Sequence, residues 1–473
     1  MTGQAEWEWR ETSPITWDAS LFGVENCTGN YGRLRDGRVA AEVFVPYDVT
    51  TELSKQRRLD SLSGETATGS IVLRRLERCF VEPSTRSHRV LRFQAELAVE
   101  CPWEGEGVPP GAASFEFDTV EFGIQGMPQW LGVDHGWFDN SPDDEFYIQP
   151  KWRDASWPGA EIGDAKVSLR GVPQWETAFP SGLETWGQSR LRIDLPAPLH
   201  VSQIEDFWIR PVQRCIELAH RKRSPLTAVW VSRSEWPSAA PTVHDRLWAE
   251  VVSRSIDGSD DWHERPLFLQ DPLSPRQFEI QVTEAVQWSY PTDQVARSLH
   301  SDSEAAVAFA QAVTGLEGLL DAADIPTHRN ASWASYLDQL SAAVNSVEEA
   351  PTKVRKKVLK ELAKQPPRSF EQRLRDLDRV LAEPMESRWG EGGWAADVVT
   401  LRNKALHGAL AFGQAADATL AFRVAARACQ GLALEAWNHV TEGESADGVV
   451  LLDEALSRWA IVENFAEEIR RGD

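Results

Sequence analysis

The chain has 473 residues, 42% hydrophobic and 26% charged, and carries a formal net charge of −23 at pH 7. This length exceeds one ordinary hydrophobic core and predicts two or three domains. The negative charge argues against a protein that coats nucleic acid along its whole surface, although it leaves room for a local basic groove. No run approaches the roughly 20 consecutive apolar residues of a membrane span.

Residues 1–295 have the pattern of a β-rich domain. Alternating apolar and polar residues predict strands at 31–45, 87–101, 114–124, 189–195 and 227–232. Asp36 and Gly37 predict a hairpin turn. Helical spacing over Ile204–Ala219 predicts one packed helix, which Pro211 either kinks or begins. The 21 tryptophans favour large aromatic core residues in this half, with a sugar-binding platform as the alternative.

Residues 296–473 change to the periodicity of helices. Ser301 and Glu304 predict a capping box. The helix that follows places Phe309, Val313, Leu316 and Leu320 on one face. Further helices are predicted at 332–347, 352–364, 370–383, 394–410, 415–440 and 449–470. The fold class is therefore predicted as α+β multidomain, with a β-rich domain over 1–295 and an all-α bundle over 296–473.

The segment "TLRNKALHGAL", residues 400–410, contains a candidate catalytic set. Asn403 and His407 are four residues apart and share a helix face, whereas Arg402 and His407 are separated by about 140° on a regular helix. Gly408 directly follows His407 and predicts a helix end there. A helix end would let His407 face a cleft.

These residue types suit phosphodiester cleavage in RNA. The ribose 2′-hydroxyl can attack its own phosphate, so the protein needs an acid or base near neutral pH, which histidine supplies. Arg402 can stabilise the phosphoryl oxygens with two hydrogen bonds, and Asn403 can hold the phosphate or the imidazole. No metal or cofactor is expected for this chemistry. The alternative is an ordinary solvated helix surface.

The pattern "RNKALH" resembles the signature of HEPN domains (higher eukaryotes and prokaryotes nucleotide-binding). These are all-α modules in which Arg, a polar residue and His lie in a six-residue window. "AFAQAVTGLEGLL", residues 308–320, is similar to their first helix. The strand-rich first half resembles that of the ApeA group of antiphage HEPN proteins, where it would be a sensor, a regulator or an assembly domain.

This resemblance implies that Arg402 and His407 are catalytic and that Asn403 is their polar partner. It further implies a cytoplasmic, metal-independent endoribonuclease that works as a homodimer or larger even oligomer and leaves a 2′,3′-cyclic phosphate and a 5′-hydroxyl. Its role would be antiphage defence by abortive infection, in which a phage trigger releases cleavage of RNA such as tRNA. Glu317 either orients Arg402 through an ion pair or is a surface carboxylate.

The most basic stretch of the chain lies at 352–364. Lys353, Lys356, Lys357 and Lys360 are predicted to contact the RNA backbone. The alternative, which is compatible with RNA contact, is an amphipathic helix that buries its apolar residues, namely Val354, Val358, Leu359 and Leu362.

The sequence lacks the motifs of several other common catalytic and binding sites. It holds no P-loop, Rossmann glycine fingerprint or HExxH motif, and no GxSxG motif with a following Asp and His. The five cysteines include no CxxC pair, which predicts a reducing cytoplasm and neither disulfides nor a zinc site. Two other functions stay open: a non-catalytic module that binds a ligand or phage protein and dimerises through the bundle, and the toxin of a toxin–antitoxin pair.

Overall fold

The structure of the protein is a computed structural model, which describes part of the chain. The described residues are 8–18, 26–35, 37–46, 58–67, 69–83, 88–101, 114–132, 138–139, 151–152, 157–178, 182–236, 249–253, 273–299, 304–323, 331–347, 351–362, 369–381, 393–406, 416–442 and 447–472.

The chain divides into two compact units. Unit 1 comprises Met1–His220 and Ser224–Val286, and unit 2 comprises Arg221–Arg223 and Gln287–Asp473. Unit 1 is β-rich and unit 2 is helical, so the predicted combination of a strand-rich first half and a helical second half is confirmed. The sequence placed the boundary between residues 295 and 296.

The strands belong to unit 1. In chain order they are β1 (Trp9–Asp18), β2 (Asn26–Leu34), β3 (Val39–Pro46), β4 (Arg58–Thr66), β5 (Gly69–Pro83), β6 (His88–Ala95), β7 (Leu97–Cys101), β8 (Glu116–Ile124), β9 (Phe138–Asp139), β10 (Lys151–Trp152), β11 (Ala160–Ile162), β12 (Ala165–Ala178), β13 (Gly182–His200), β14 (Leu226–Ser232) and β15 (Ala249–Ser253).

Among the described residues, thirteen strands form one antiparallel sheet in the order β11-β12-β13-β8-β14-β15-β7-β5-β4-β1-β2-β3-β6. Because β5 also pairs with β6, the strands β5, β4, β1, β2, β3 and β6 close into a ring. The ring encloses a core that includes Trp17, Leu62, Leu73 and Phe93. β9 and β10 form a separate pair.

The predicted hairpin is present between β2 and β3. Gly37 lies in the turn with φ +79°, a left-handed conformation that glycine adopts without steric cost. Its N–H donates to the carbonyl of Leu34 at 2.9 Å. The turn's other predicted residue, Asp36, lies outside the described residues.

The predicted helix near Ile204 is a continuous helical run over Val201–His220. It consists of α2 (Val201–Ile204), a π turn (Glu205–Ile209) and α3 (Arg210–His220). Pro211 lacks an N–H and cannot make the ordinary helical bond. The π turn directly precedes it, with the N–H of Arg210 reaching back to the carbonyl of Glu205. Pro211 therefore follows a widened turn and does not mark the start of the helix.

Unit 1 holds further helices that the sequence did not predict, namely α1 (Met127–Leu131) and α4 (Pro275–Gln287). α4 begins in a capping arrangement. The N–H of Gln277 donates to the Ser274 hydroxyl at 3.2 Å, and the Gln277 side chain accepts from the Ser274 N–H. Phe278, Val282 and Ala285 are its buried face. The prediction of a single helix in the first 295 residues was therefore wrong.

The helices of unit 2 are α5 (Ser289–Ser298), α6 (Ala305–Ala322), α7 (Ala331–Ser346), α8 (Thr352–Leu362), α9 (Phe370–Asp378), α10 (Trp394–Leu406), α11 (Ala416–Val440), α12 (Asp447–Leu456) and α13 (Trp459–Gly472). α12 and α13 replace the single helix predicted at 449–470, because a turn interrupts the chain at residues 457–458. Glu304 is the N-cap of α6 and not its third residue, so the predicted capping box has the wrong register; Ser301 lies outside the described residues.

α6 and α11 pack together at the centre of unit 2. The predicted face of α6, with Phe309, Val313, Leu316 and Leu320, is buried. The rings of Phe309 and Phe422 lie 5.6 Å apart between the two helices. At Gly315 a Cβ atom would lie 2.5 Å from a methyl group of Val295, so glycine is what allows α5 to pack closely on α6. No helix in the described part of the chain has the length and apolarity needed to cross a membrane.

Candidate functional site

The candidate site is built on α10, which begins firmly anchored in unit 2. Trp394, Ala395, Val398 and Leu401 are fully buried at the spacing of one helix face. The carboxylate of Asp397 forms an ion pair with Arg470 of α13. Burial raises the pKa of Asp397, while the hydrogen bond and the charge of Arg470 oppose that rise.

Arg402 follows this anchored turn and points towards α6. Its Nη2 donates to Oε2 of Glu317 at 2.7 Å, and its guanidinium carbon lies 5.4 Å from the centre of the Phe370 ring. The side chain is 26% exposed. The ion pair with Glu317, which the sequence left as one of two alternatives, is therefore present in the structure.

A second arginine shares the same carboxylate. Arg373 of α9 donates from Nη2 to Oε1 of Glu317 at 2.8 Å and also pairs with Asp321. Its guanidinium carbon lies 5.9 Å from the Phe370 ring centre. Each oxygen of Glu317 therefore accepts a hydrogen bond from a different guanidinium. We call Glu317, Phe370, Arg373 and Arg402 the arginine cluster.

The cluster fixes Arg402 while leaving it hydrogen-bonding capacity. A charge-assisted hydrogen bond on one side and an aromatic ring nearby restrict the rotamers of the long side chain. The Nε atoms of Arg373 and Arg402 are buried and have no hydrogen-bond partner among the described residues. The buried Nε cannot reach a ligand, but the Arg402 side chain is 26% exposed and its hydrogen bond to Glu317 uses only Nη2, so the guanidinium can still donate to an anionic oxygen such as that of a phosphate.

Of the other two predicted catalytic residues, Asn403 and His407, the structure describes only Asn403. Asn403 is exposed on α10 beside Arg402, where its amide is available to a ligand. His407 and Gly408 lie outside the described residues, and so does the helix end predicted there.

The sequence reasoning did not identify Phe370 and Arg373. Arg373 is 56 residues from Glu317, and Glu317 is 85 residues from Arg402, so no local spacing links them. Ser369 and Gln372 form a capping box. This sequence signal marks the start of α9, but it does not indicate a role for Arg373.

The predicted RNA-binding lysines lie on α8. Lys353, Lys356, Lys357 and Lys360 are all exposed, and within the described residues none of them forms an ion pair. α8 packs against α7. Four cations therefore face solvent over about two turns of helix, which is the arrangement that attracts a phosphate backbone.

The apolar residues of α8 differ from the expectation. Val354 and Val358 are 51% and 38% exposed, so the prediction that they are buried was wrong. The periodic pattern is present, but α7 does not cover this face. Leu359 is half-buried, and the side chain of Leu362 lies outside the described residues.

Metal-ligating side chains and cysteines do not form a further reactive site in the described part of the chain. It contains no cluster of three or more His, Cys, Asp or Glu side chains arranged to hold a metal ion. Cys27, Cys101, Cys215 and Cys429 are free and buried. Burial raises the pKa of Cys101 to about 12 and also raises the pKa values of Cys27, Cys215 and Cys429, which leaves these thiols protonated and unreactive at neutral pH.

Comparisons with family models, with curated proteins and with solved structures found no match to this chain.

Proposed function

We propose that this protein is a metal-independent endoribonuclease and that unit 2 is an HEPN-like bundle carrying its active site. The observation that carries the proposal is the placement of Arg402. This side chain is partly exposed, held by Glu317 at 2.7 Å and close to Phe370, five residues before His407. The ion pair and the ring hold the guanidinium in one position, which is what stabilisation of a phosphate in a transition state requires.

In the proposed reaction the RNA supplies its own nucleophile. The 2′-hydroxyl loses its proton to a base, its oxygen attacks the adjacent phosphorus, and the 5′-oxygen of the next nucleotide leaves with a proton from an acid. His407 serves as base or acid, since imidazole titrates near neutral pH. Arg402 stabilises the negative charge on the phosphoryl oxygens, and Asn403 holds the phosphate or the imidazole. The products are a 2′,3′-cyclic phosphate and a 5′-hydroxyl.

The motif of each chain contains one histidine, whereas the reaction needs both a base and an acid. A homodimer or larger even oligomer solves this, because two protomers then contribute one motif each to a shared cleft. This part of the proposal rests on the resemblance to HEPN domains.

Glu317 and Arg373 are positioning residues in this account. Glu317 restrains the Arg402 fork, and Arg373 occupies the second oxygen of that carboxylate. With both oxygens engaged, Glu317 cannot swing towards the phosphate and repel it. The arginine cluster therefore keeps Arg402 in place before RNA arrives.

The exposed lysines of α8 are proposed to bind the RNA backbone. Lys353, Lys356, Lys357 and Lys360 offer sequence-independent contacts on a chain whose net charge is −23. Repulsion from the rest of the surface would confine RNA, such as tRNA, to this region. By the resemblance to ApeA-like proteins, the enzyme acts in the cytoplasm against phage, and unit 1 restrains it until a phage trigger is present.

Substitution of the two reacting side chains tests the proposal. Arg402→Ala and His407→Ala should each abolish RNA cleavage and the growth arrest that accompanies expression, with an unchanged circular dichroism spectrum. Arg379→Ala is the matched control, because Arg379 is an exposed arginine of unit 2 that pairs with Asp376 outside the cluster. Cleavage by either site variant at the rate of the control would overturn the proposal.

A further inference from the structure

Unit 1 contains a histidine–arginine contact that the proposed nuclease site does not use. His200 is the last residue of β13 and the N-cap of α2. Its ring atom Nε2 contacts Nη1 of Arg74 on β5. β13 and β5 are not neighbours in the sheet, so this side-chain contact links two separate parts of unit 1.

The contact between His200 and Arg74 requires an uncharged imidazole. A guanidinium carries only hydrogen-bond donors, so Nε2 must present its lone pair to Arg74. The neutral ring then carries its one proton on Nδ1, which lies 2.7 Å from the Ser202 hydroxyl and 3.1 Å from the Ser202 N–H. The hydroxyl oxygen accepts this proton in a hydrogen bond. A second proton, on Nε2, would place an N–H and a positive charge against the Arg74 cation.

The charged groups around His200 favour the neutral ring. Arg74 and Arg75 come from β5, and Glu116 lies opposite His200 in the pairing of β8 with β13. Burial lowers the pKa of His200, the two arginines lower it further, and Glu116 opposes them. Arg75 is also paired with Glu96 at 3.0 Å, an exposed ion pair, so Arg74 is the cation that acts most directly on the ring.

Phe115 lies against the same contact in a strained backbone conformation. Its φ is +57°, in the left-handed region that bulky residues rarely adopt. Its ring is fully buried. The guanidinium carbon of Arg74 lies 5.2 Å from the centre of this ring, and the centre of the His200 ring lies 6.4 Å from it. The Phe115 carbonyl accepts from the Val201 N–H at 2.8 Å. Packing by Arg74 and His200 therefore helps to hold a conformation that the backbone alone disfavours.

We propose that His200, Arg74 and Phe115 form an acid-sensitive clamp. The clamp is closed while the neutral imidazole accepts from Arg74. When His200 takes up a proton, the two cations repel each other, Arg74 leaves the ring nitrogen, and Phe115 can relax from its strained conformation. The junction of β13 and α2 then separates from β5. The inference does not depend on the nuclease proposal, because it concerns a proton equilibrium within unit 1.

Acid should therefore destabilise unit 1 in a defined pH range. A histidine in the unfolded chain has a pKa of about 6.5, and the pKa of His200 in the folded protein is lower. The stability that comes from the neutral ring is complete above about pH 6.5 and is lost as the pH falls towards the pKa of the folded state. Over this range the equilibrium constant for unfolding should rise by up to about tenfold for each pH unit.

Two measurements on the full-length protein test the clamp. NMR of the ¹³C-labelled histidine rings, with the His200 signal assigned by its loss in His200→Asn, should show a titration midpoint below about 6.5. Amide hydrogen exchange followed by mass spectrometry, corrected for the intrinsic effect of pH on exchange, reports the opening of the junction. Peptides that contain Phe115 and Val201 should exchange at least about threefold faster at about pH 5.5 than at about pH 7.5.

Two variants separate the clamp from a purely structural role of His200. His200→Asn keeps a side-chain acceptor for the helix cap but cannot take up a proton, so acid should no longer accelerate exchange. Arg74→Gln provides an amide that can donate to a neutral ring or accept from a charged one, so exchange should again be insensitive to acid. His439→Asn, at an exposed histidine of unit 2, is the control and should keep the wild-type response.

The proposal is overturned if the His200 ring titrates at or above about 6.5, or if the wild type exchanges equally fast at the two pH values. A wild-type acid response in either His200→Asn or Arg74→Gln would also overturn it. Should His200→Asn fail to fold, the exchange of Arg74→Gln decides. Loss of RNA cleavage has no bearing on these outcomes.

Discussion

Helices α8 and α10 of unit 2 both carry the cations that the sequence marks as functional, but the two helices hold them differently. The four lysines of α8 are exposed and form no ion pair within the described residues. Arg402 of α10 is 26% exposed, paired with Glu317 and close to Phe370. A solvated lysine samples many positions, whereas the arginine has a fixed one. The difference indicates that the α8 lysines contribute affinity for RNA, whereas Arg402 of α10 contributes a fixed catalytic geometry.

The largest decrease in the rate of RNA cleavage should come from replacing the guanidinium of Arg402 with another group of the same charge. Arg402→Lys retains a positive charge but cannot bridge Glu317 and a phosphate with a planar fork. We expect kcat for RNA cleavage to fall by about 10²-fold or more, with a small change in KM. Single-turnover kinetics on saturating RNA measure this. If Arg402→Lys keeps the wild-type kcat, Arg402 acts only through its charge. The proposed difference between the roles of α8 and α10 would then be wrong.

The next effect should come from releasing the arginine without altering it. Glu317→Gln removes the carboxylate that both Arg373 and Arg402 use. We expect kcat to fall roughly 10- to 10²-fold, because small misplacements of a catalytic group have effects of this size. KM should change little. The matched control is Glu371→Gln, which affects a carboxylate of α9 paired with Arg375. Equal kcat in the two variants would mean that Glu317 does not position Arg402.

Removal of the α8 lysines should have the opposite effect on the kinetic constants, changing KM more than kcat. Replacing Lys353, Lys356, Lys357 and Lys360 together with Ala should raise KM and leave kcat near the wild-type value. The dependence of log affinity on log salt concentration should become shallower by about 0.7 for each single-strand phosphate that the variant no longer neutralises. Filter binding of RNA across a salt series measures this slope. An unchanged slope would exclude these lysines from the RNA interface.

The smallest effect concerns stability on the apolar side of α8. Val354 and Val358 are exposed, so Val354→Ser and Val358→Ser should each change the free energy of unfolding by no more than about 0.5 kcal/mol. Leu401→Ala, at a fully buried position of α10, should cost about 2–5 kcal/mol. Urea denaturation followed by circular dichroism measures both. A cost above about 2 kcal/mol for either serine variant would indicate that another surface covers α8.

The sequence predicted features that depend on local periodicity. Strand alternation located β2, β3, β8 and β14, and helical spacing identified the buried face of α6. The start of α4 was missed although Ser274 and Gln277 carry its capping signal. The lesson is that a cap can identify a helix that composition conceals.

Features that depend on long-range packing could not be predicted in the same way. The spacing of Arg402 and Asn403 nominated the site, but only the fold shows that Glu317 bridges Arg402 to Arg373. Burial of Val354 was inferred from an amphipathic pattern, which identifies an apolar face and not the presence of a partner.

The central claim is that Arg402 and His407 act together on a phosphate attacked by the RNA's own 2′-hydroxyl. End-group analysis of RNA cut by the purified protein in EDTA tests it most directly. The account predicts 2′,3′-cyclic phosphate and 5′-hydroxyl ends from the wild type and intact RNA with Arg402→Ala or His407→Ala. Intact RNA with the wild type, 3′-hydroxyl and 5′-phosphate ends, or wild-type cleavage by either variant would contradict it.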